Sequence, residues 1–267
     1  MDELYRKKEA LEAILRDLGS VAVAYSSGVD STFLLKVAHE LLGDRAAAIT
    51  AVSCLIPETE AREAEAFCRR EGIRHVILRP NPLAIEGFPN NPPNRCYLCK
   101  RAIFSEMRAA AAKLDAAELV EGSNLDDLGD YRPGMAAIAE LGVRSPLREA
   151  GLTKAEIRAL SRELGLDTWD KPSFACLASR IPYGETITAE KLVRVERVEE
   201  RLRSLGLRQL RVRVHGDLAR IEVEPEDFPK LLASAGELDR YFRELGFFYA
   251  TLDLGGYSMG SMNRALG

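Results

Sequence analysis

VAVAYSSGVDSTFLL (residues 21–35) contains the strongest indication of the fold. Its apolar beginning, 21–25, is typical of a buried parallel strand, and 32–43 has the pattern of a helix that ends at a glycine. The polar turn SSGVDS lies between them, where a helix N-terminus exposes backbone N–H groups. Strand, turn and helix in this order predict an anion-binding loop, with phosphate as the expected ligand.

The side chains of this loop fit a nucleotide. Gly28 lets the backbone approach a phosphate closely, and the serines add hydroxyl donors. Asp30 would repel phosphates unless a cation lies between them, which predicts a bridging Mg²⁺. The lysine of G-x-x-x-x-G-K-[ST] is missing, so this is not a Walker loop. A serine-rich helix cap with no ligand is the alternative. The candidate ATP-binding residues are Ser26, Ser27, Gly28, Val29, Asp30 and Ser31.

Strands and helices alternate on both sides of the loop. Apolar runs at 46–53 and 75–80 flank a helical pattern at 58–72, which predicts an α/β fold with a doubly wound parallel sheet. A further strand, 117–122, leads into EGSNLDDLGDYRPG (121–134), and open α/β sheets bind ligands at such strand ends. An Asp/Asn-rich capping loop is the alternative interpretation. The nucleotide-site candidates here are Gly122, Asn124, Asp127 and Arg132.

The pattern changes near residue 185. A charged helix and two alternating strands follow, so we predict an α/β domain over 1–185 and a smaller α+β domain over 186–267. Alternation in the first of these strands places Arg211 and Arg213 together on an exposed face, where they would clamp a substrate phosphate. A solvated strand face is the alternative.

Composition excludes several classes of protein. The chain has 267 residues, 46% hydrophobic and 29% charged, with a net charge of −4, which is globular and argues against broad nucleic-acid binding. The N-terminal amphipathic pattern is not a signal peptide, and no segment approaches the roughly 18 apolar residues of a membrane span. We therefore expect a cytoplasmic protein without membrane or nucleic-acid partners.

Five cysteines, an odd number, argue against a disulfide framework. Cys96-x-x-Cys99 lies at a loop-to-helix junction, where thiolates are favoured, and Cys176 lies in a loop beside prolines. Zinc would require four ligands, and the histidines lack ligand spacing. Three cysteines suit a [4Fe–4S] cluster with one open iron, which could hold an extra sulfide. A partial zinc site, a redox pair and buried thiols remain open.

The SSGVDS loop resembles the SGGxDS loop of the PP-loop family, the N-type ATP pyrophosphatases. Ser27 occupies the position where that family usually has its first glycine. The resemblance implies that ATP is cleaved between its α- and β-phosphates and that a substrate oxygen is adenylated while pyrophosphate leaves. Ammonia or sulfur then displaces AMP.

Four further segments, NRCYLCK, DYRPGMAAIAELGVRSPL, PSFACLASRIPYGE and TLDLGGYSMGSMN, extend the likeness over almost the whole chain. Together with the loop they resemble the LarE family, ATP-dependent sulfurtransferases that build the nickel-pincer cofactor of lactate racemase. The resemblance implies adenylation of a carboxylate on pyridinium-3,5-biscarboxylic acid mononucleotide and its conversion to a thiocarboxylate.

Members of this family use two sulfur sources. Some sacrifice a cysteine at the position of Cys176, and others use three cysteines and a [4Fe–4S] cluster. We expect the cluster type, with Cys96, Cys99 and Cys176 as ligands and sulfide or another sulfur donor as the source. We also expect a homo-oligomer. Cys176, Asp30, Ser179 and Arg180 are the catalytic candidates, and Glu200 is a further metal-ligand candidate.

Three other functions remain as alternatives. An ammonia-using PP-loop enzyme, such as an NAD or GMP synthetase, would not need three cysteines. A tRNA-thiolating enzyme would be expected to have additional CxxC pairs or a basic surface, and the sequence has neither. A nucleotide-binding module without catalysis would release no pyrophosphate.

Overall fold

The computed structural model describes residues 3–129, 133–172, 174–258 and 260–261, and four parallel strands form a sheet within them. The strand order is β3-β2-β1-β4. The strands of this sheet are β1 Val21–Ala24, β2 Ala46–Ala51, β3 Arg74–Leu78 and β4 Glu118–Val120. The helices that connect or cover them are α1 Glu3–Leu18, α2 Val29–Leu42, α3 Glu58–Glu71, α4 Arg95–Lys113, α5 Pro133–Glu140, α6 Pro146–Glu149 and α7 Lys154–Glu163.

Alternate residues of β1 pack on opposite faces of this sheet. Val21 and Val23 join a cluster with Phe33 of α2, whereas Ala22 joins a second cluster with Met107 of α4. Period-two alternation explains this division, because successive side chains of a strand point to opposite faces. Helices therefore cover both faces, which confirms the prediction of a doubly wound α/β fold.

The second sheet is smaller and mixed. Its order is β5-β6-β7, with β5 antiparallel and β7 parallel to the central strand. Phe242 and Phe247 pack against each other with ring centroids 5.8 Å apart and help to form the apolar interior of this part. The elements are α8 Ala189–Ser204, β5 Leu210–His215, β6 Leu218–Val223, α9 Phe228–Ala233, α10 Ala235–Glu244 and β7 Tyr249–Leu252.

The contacts divide the chain into two compact units. The first unit combines the residues up to Asn81 with Asn94–Phe174, and the second combines Pro82–Pro93 with the residues from Ala175 on. Within the second unit, the amide of Asn91 donates to the carbonyls of Ile181 and Pro182 at 3.1 and 2.6 Å. These bonds hold the proline-rich segment against residues that precede position 185. The division into domains at residue 185 stays a prediction.

None of the helices in the described part of the chain is both long enough and apolar enough to cross a membrane.

Candidate active site

The nucleotide loop, residues 26–31, lies at the carboxyl end of β1 and continues into α2. Gly28 is the N-cap of α2 with extended backbone angles, and no side chain caps the helix there. The first N–H groups of α2 are therefore available to an anion. The Val29 side chain is 3% exposed and packs in the core, so its contribution to a ligand is limited to the backbone.

Hydroxyl groups give the loop its internal order. Ser31 Oγ accepts a hydrogen bond from the Ser26 backbone N–H at 3.2 Å and lies 3.1 Å from Ser26 Oγ. Thr32 Oγ1 donates to the Gly28 carbonyl at 2.8 Å. Ser26 is exposed and Ser31 is buried, so Ser26 is the serine of this pair that presents its hydroxyl to solvent.

The loop after β4 lies beside the nucleotide loop. The chain runs from β1 to its neighbour β2 on one side, whereas β4, its neighbour on the other side, is reached from β3 at the far edge of the sheet. The two loops therefore meet where the strand order reverses, at the switch point of the sheet. A Cβ atom on Gly122 would come within 3.0 Å of the Ser31 nitrogen. Glycine is thus required for this close approach.

Asp30 links the two loops. Asn124 donates from Nδ2 to Asp30 Oδ1 at 3.3 Å, and Lys154 forms an ion pair with the other carboxylate oxygen of Asp30. Asp127 accepts from the backbone N–H of Asn124 at 3.0 Å and so orders the loop locally. Arg132, the remaining nucleotide-site candidate, lies outside the described residues.

Sequence reasoning missed Lys154. The capping box of Thr153 and Glu156 predicts where α7 begins, and the structure forms both of its hydrogen bonds. Lys154 is the first residue of that helix, and α7 packs against α2. No spacing in the sequence connects Lys154 with Asp30, because their proximity arises from the packing of two helices.

The cysteines differ in exposure. Cys96 and Cys99 lie in the first turns of α4 at a spacing that places them on one face, and Cys96 is exposed. Cys176 is also exposed, and none of the five cysteines forms a disulfide. Burial raises the pKa of Cys68 to about 12, so this thiol is not reactive near neutral pH.

No three His, Cys, Asp or Glu side chains are close enough to hold a metal ion within the described parts of the chain. Glu200, a predicted metal ligand, is exposed on α8. Its neighbour Glu199 is fully buried and forms a bidentate pair with Arg180, at 2.8 and 3.0 Å. Sequence reasoning missed Glu199, whose only sequence signal is its position on the apolar face of α8 near Val195, Val198 and Leu202.

We name residues 176–180 the cysteine turn. Within the second unit, Arg180 donates to the carbonyls of Ala175 and Cys176 at 2.6 and 3.2 Å and to Ser179 Oγ at 2.9 Å. Arg213 donates to the carbonyl of Ser179 at 2.9 Å. Two buried guanidinium groups therefore fix the backbone that carries Cys176.

The expectation of an exposed strand face at Arg211 and Arg213 is wrong. The two side chains are only 6% and 5% exposed, because residues on both faces of β5 are covered. Arg213 pairs with Glu222 at 2.8 Å, and the guanidinium of Arg211 lies 5.2 Å from the ring centre of Tyr257. Burial, with the nearby positive charge of Arg180, lowers the pKa of Arg211 to about 10.

Comparison with known proteins shows which family the chain belongs to. No protein-family profile matches the chain. An uncharacterized protein of Synechocystis sp. is 47% identical over 266 residues, which cover 98% of this chain and 99% of that protein. The pyridinium-3,5-bisthiocarboxylic acid mononucleotide synthase of Lactiplantibacillus plantarum is 39% identical over 267 residues, covering 100% of this chain and 97% of the synthase. The chain belongs to the LarE family.

Membership of the LarE family confirms the resemblance noted in the sequence, and it confirms an enzyme of the ATP-dependent sulfurtransferase class. A third relative, the glutamine-hydrolysing GMP synthase of Brucella canis, is 28% identical over 183 residues, which cover 60% of this chain and 35% of the synthase. This partial likeness agrees with a PP-loop fold. The assignments of individual site residues stay predictions.

Proposed function

We propose that this LarE-family enzyme adenylates a carboxylate of pyridinium-3,5-biscarboxylic acid mononucleotide and converts it to a thiocarboxylate. The observation that carries the proposal is the uncapped helix N-terminus at the switch point of the sheet. It occurs in a chain that aligns over its whole length with a synthase of pyridinium-3,5-bisthiocarboxylic acid mononucleotide. Such a helix end binds phosphates. In the first step, a carboxylate oxygen attacks the α-phosphorus of ATP and pyrophosphate leaves.

Asp30 and Lys154 suit this first step. Asp30 would hold Mg²⁺, since carboxylate oxygen is a ligand that this ion prefers, and the bound ion would neutralise phosphate charge. Lys154 places an ammonium beside the same loop, where a Walker loop carries its own lysine. Pyrophosphate leaves as a polyanion, so positive charge fixed at this position favours its departure.

In the second step, sulfur attacks the acyl carbon and AMP leaves. The three thiols of Cys96, Cys99 and Cys176 have the donor chemistry that a [4Fe–4S] cluster requires, and no disulfide occupies them. These cysteines would hold the cluster, which supplies a sulfide at its open iron when bound. The cysteine turn then orients the Cys176 thiol through its backbone bonds to Arg180.

Buried positive charge supports binding of the mononucleotide phosphate in the second unit. Arg211 is desolvated, and its pKa is lowered both by burial and by the nearby charge of Arg180. A phosphate dianion placed there would offset both effects, because opposite charge stabilises the cationic form of a guanidinium. We propose that Arg211 and Arg213 bind this phosphate, as LarE membership also favours.

Pyrophosphate release tests the adenylation step. Purified protein with ATP, Mg²⁺ and the biscarboxylic mononucleotide should release pyrophosphate only when the mononucleotide is present. Asp30→Asn should reduce this rate by roughly 10²-fold, because it removes a charge that orients metal and phosphates. Glu190→Gln, at an exposed position of α8 with no proposed role, should leave the rate unchanged. Release that is independent of the mononucleotide would contradict the proposed substrate.

Anaerobic purification separates the two sulfur sources. A cluster enzyme should carry iron and sulfide and absorb visible light, and Cys96→Ser should lose that iron. The second source would be Cys176 itself, whose exposed thiol could attack the acyl-adenylate and release AMP. Loss of the Cα proton and cleavage of the Cβ–S bond would then leave dehydroalanine and a thiocarboxylate. A Cys176 residue lighter by H₂S after turnover, in an iron-free protein, would overturn the cluster.

A further inference from the structure

Ser27 adopts a backbone conformation that serine rarely takes. Its φ is 53°, in the left-handed region, and its side chain is buried. The other non-glycine residues of the described chain with positive φ are Asn91 and Asp115, whose side-chain types tolerate this region better. Serine persists in such a conformation only where its surroundings over-determine it.

Two charged side chains surround Ser27 in the first unit. Ser27 Oγ lies 2.8 Å from Glu60 Oε2, 2.7 Å from the Ser26 carbonyl and 3.2 Å from the Glu60 carbonyl. A hydroxyl bond to a carboxylate is stronger than one between neutral groups, so Glu60 Oε2 is the favoured acceptor of its one proton. Lys171 Nζ lies 2.7 Å from the same carboxylate oxygen and donates to the Ser27 carbonyl at 3.2 Å. The side chain and the carbonyl of Ser27 thus both contact the Glu60–Lys171 ion pair, whose lysine also pairs with Glu63 at 2.5 Å.

The partners of Ser27 are themselves held in place. Glu60 and Lys171 have only 13% and 18% of their side chains exposed, so their pair is partly shielded from solvent. Arg158 donates to the backbone carbonyls of Trp169 and Lys171 at 2.8 and 2.7 Å, which fixes the segment that carries the lysine. A rigid lysine can restrain a loop in a way that a mobile surface lysine cannot.

We propose that Glu60 and Lys171 are positioning residues of the nucleotide loop, holding Ser27 in a conformation that glycine would adopt unaided. This inference rests on the proposal that the loop binds ATP. Gly28 and the first turn of α2 follow Ser27 directly, so a change in its φ would redirect the N–H groups that face the phosphates. Redirected N–H groups would form weaker hydrogen bonds to the phosphates, because these bonds depend steeply on angle.

Four variants test this role by ATP affinity, measured calorimetrically, and by the KM for ATP in pyrophosphate release. Ser27→Ala keeps the unfavourable φ and loses the hydroxyl, so ATP should bind about tenfold more weakly. Glu60→Gln should weaken ATP binding similarly. Ser27→Gly should restore affinity to within about threefold of the wild type, because glycine adopts positive φ without strain. In that background, Glu60→Gln should then change affinity less than about twofold.

The kinetic constants separate positioning from folding. The kcat at saturating ATP should stay within about threefold of the wild type in each variant, because the reacting groups are intact, while the KM for ATP rises in Ser27→Ala and Glu60→Gln. Glu58→Gln is the matched control, since Glu58 is in the same turn of α3 with 80% of its side chain exposed. Melting temperatures equal to that of the wild type would show that the variants fold. If Glu60→Gln does not fold, the alanine and glycine variants at Ser27 can still be compared with each other.

The outcomes distinguish this inference from the proposed function. A wild-type protein that binds no ATP would overturn the proposed function. A wild type that binds ATP while Ser27→Ala and Glu60→Gln bind it equally well would overturn only the positioning role. An equal loss on Glu60→Gln in the serine and glycine backgrounds would also overturn it. A large loss on Lys171→Met in the glycine background would make Lys171 a phosphate contact instead.

Discussion

The nucleotide loop and the cysteine turn each present a reactive position, but different forces fix them. In the nucleotide loop, helix geometry, serine hydroxyls and the close approach of Gly122 set the backbone, and Ser26 is exposed. In the cysteine turn, guanidinium groups that are nearly or fully buried set the backbone, and Arg180 is fully buried. The first arrangement depends on backbone conformation and the second on paired charges, so substitutions should affect them in different ways.

The largest effect is expected at the cysteine turn. Glu199→Gln would leave the fully buried Arg180 without its bidentate carboxylate, and uncompensated buried charge destabilises a fold by about 3–5 kcal/mol. Urea unfolding followed by circular dichroism would measure this loss. Glu200→Gln, one residue along the helix and exposed, should change the unfolding free energy by less than about 0.5 kcal/mol. Equal values for the two variants would show that the buried pair does not stabilise this unit.

The same pair predicts an acid dependence. Burial acts to raise the pKa of Glu199, but Arg180, the charge of Arg203 and the Val212 N–H outweigh it and hold the pKa below its ordinary value. A carboxyl with a lowered folded pKa contributes stability that is present above the unfolded pKa and lost as pH falls through the folded pKa. The wild type should therefore lose stability below about pH 4. The Glu199→Gln variant should lose less of its unfolding free energy over the same pH range.

An intermediate effect is expected at the nucleotide loop. A Cβ on Gly122 would lie 3.0 Å from the Ser31 nitrogen and 3.2 Å from its Cα, so Gly122→Ala should push two backbones apart. Such overpacking costs about 1–3 kcal/mol, and ATP affinity should fall with the displaced loop. Thermal unfolding without ATP would measure the loss of stability, and the shift of the melting temperature on adding ATP would measure the loss of affinity.

Gly28→Ala is the matched control for that substitution. Its Cβ would meet only Ser26 Oγ, at 3.5 Å, and its φ of −77° suits any residue. The melting temperature should stay close to that of the wild type while ATP affinity falls, because the methyl group occupies the space of approach to the phosphate. A drop in melting temperature equal to that of Gly122→Ala would contradict the assigned difference between the two glycines.

The two regions also differ in how far the sequence predicts them. The nucleotide loop can be predicted because strand, turn and helix follow one another along the chain. Gly28 therefore lies just before α2 and Ser31 lies in its first turn, as the pattern predicts. The ionic contacts that hold the cysteine turn cannot be predicted in this way. Arg180 meets Glu199 and Arg213 meets Glu222 only after a helix and two strands have packed. The sequence predicts the alternation of β5, but the burial of its arginine face depends on contacts that form only in the folded chain.

Lys154 and Ser27 show the same limit inside the better-predicted region. The capping box locates the start of α7, but the pairing of Lys154 with Asp30 depends on how α7 packs beside α2. The serine in place of the usual glycine is visible in the sequence, whereas its positive φ and its bond to Glu60 are visible only in the fold. Local patterns therefore predict backbone elements better than they predict contacts between them.

The smallest effect on stability, and one of opposite sign, is expected at Arg211. Its pKa is lowered to about 10 by burial and by Arg180, so removal of this cation should relieve desolvation and repulsion. Arg211→Met keeps much of the apolar stem and should raise the unfolding free energy by roughly 1 kcal/mol. Affinity for the phosphorylated substrate should fall about tenfold or more, because a charge-assisted hydrogen bond to phosphate is lost.

The matched control lies two residues along the same strand. Arg213 pairs with Glu222 at 2.8 Å, so Arg213→Met would leave a fully buried carboxylate with weaker compensation and should destabilise the fold. Opposite signs at Arg211 and Arg213 would mean that Arg213 stabilises the fold in addition to binding the phosphate, whereas Arg211 is kept at a cost to stability for the ligand. Destabilisation at both positions, with no loss of substrate affinity, would instead assign both arginines to the structure that holds the cysteine turn.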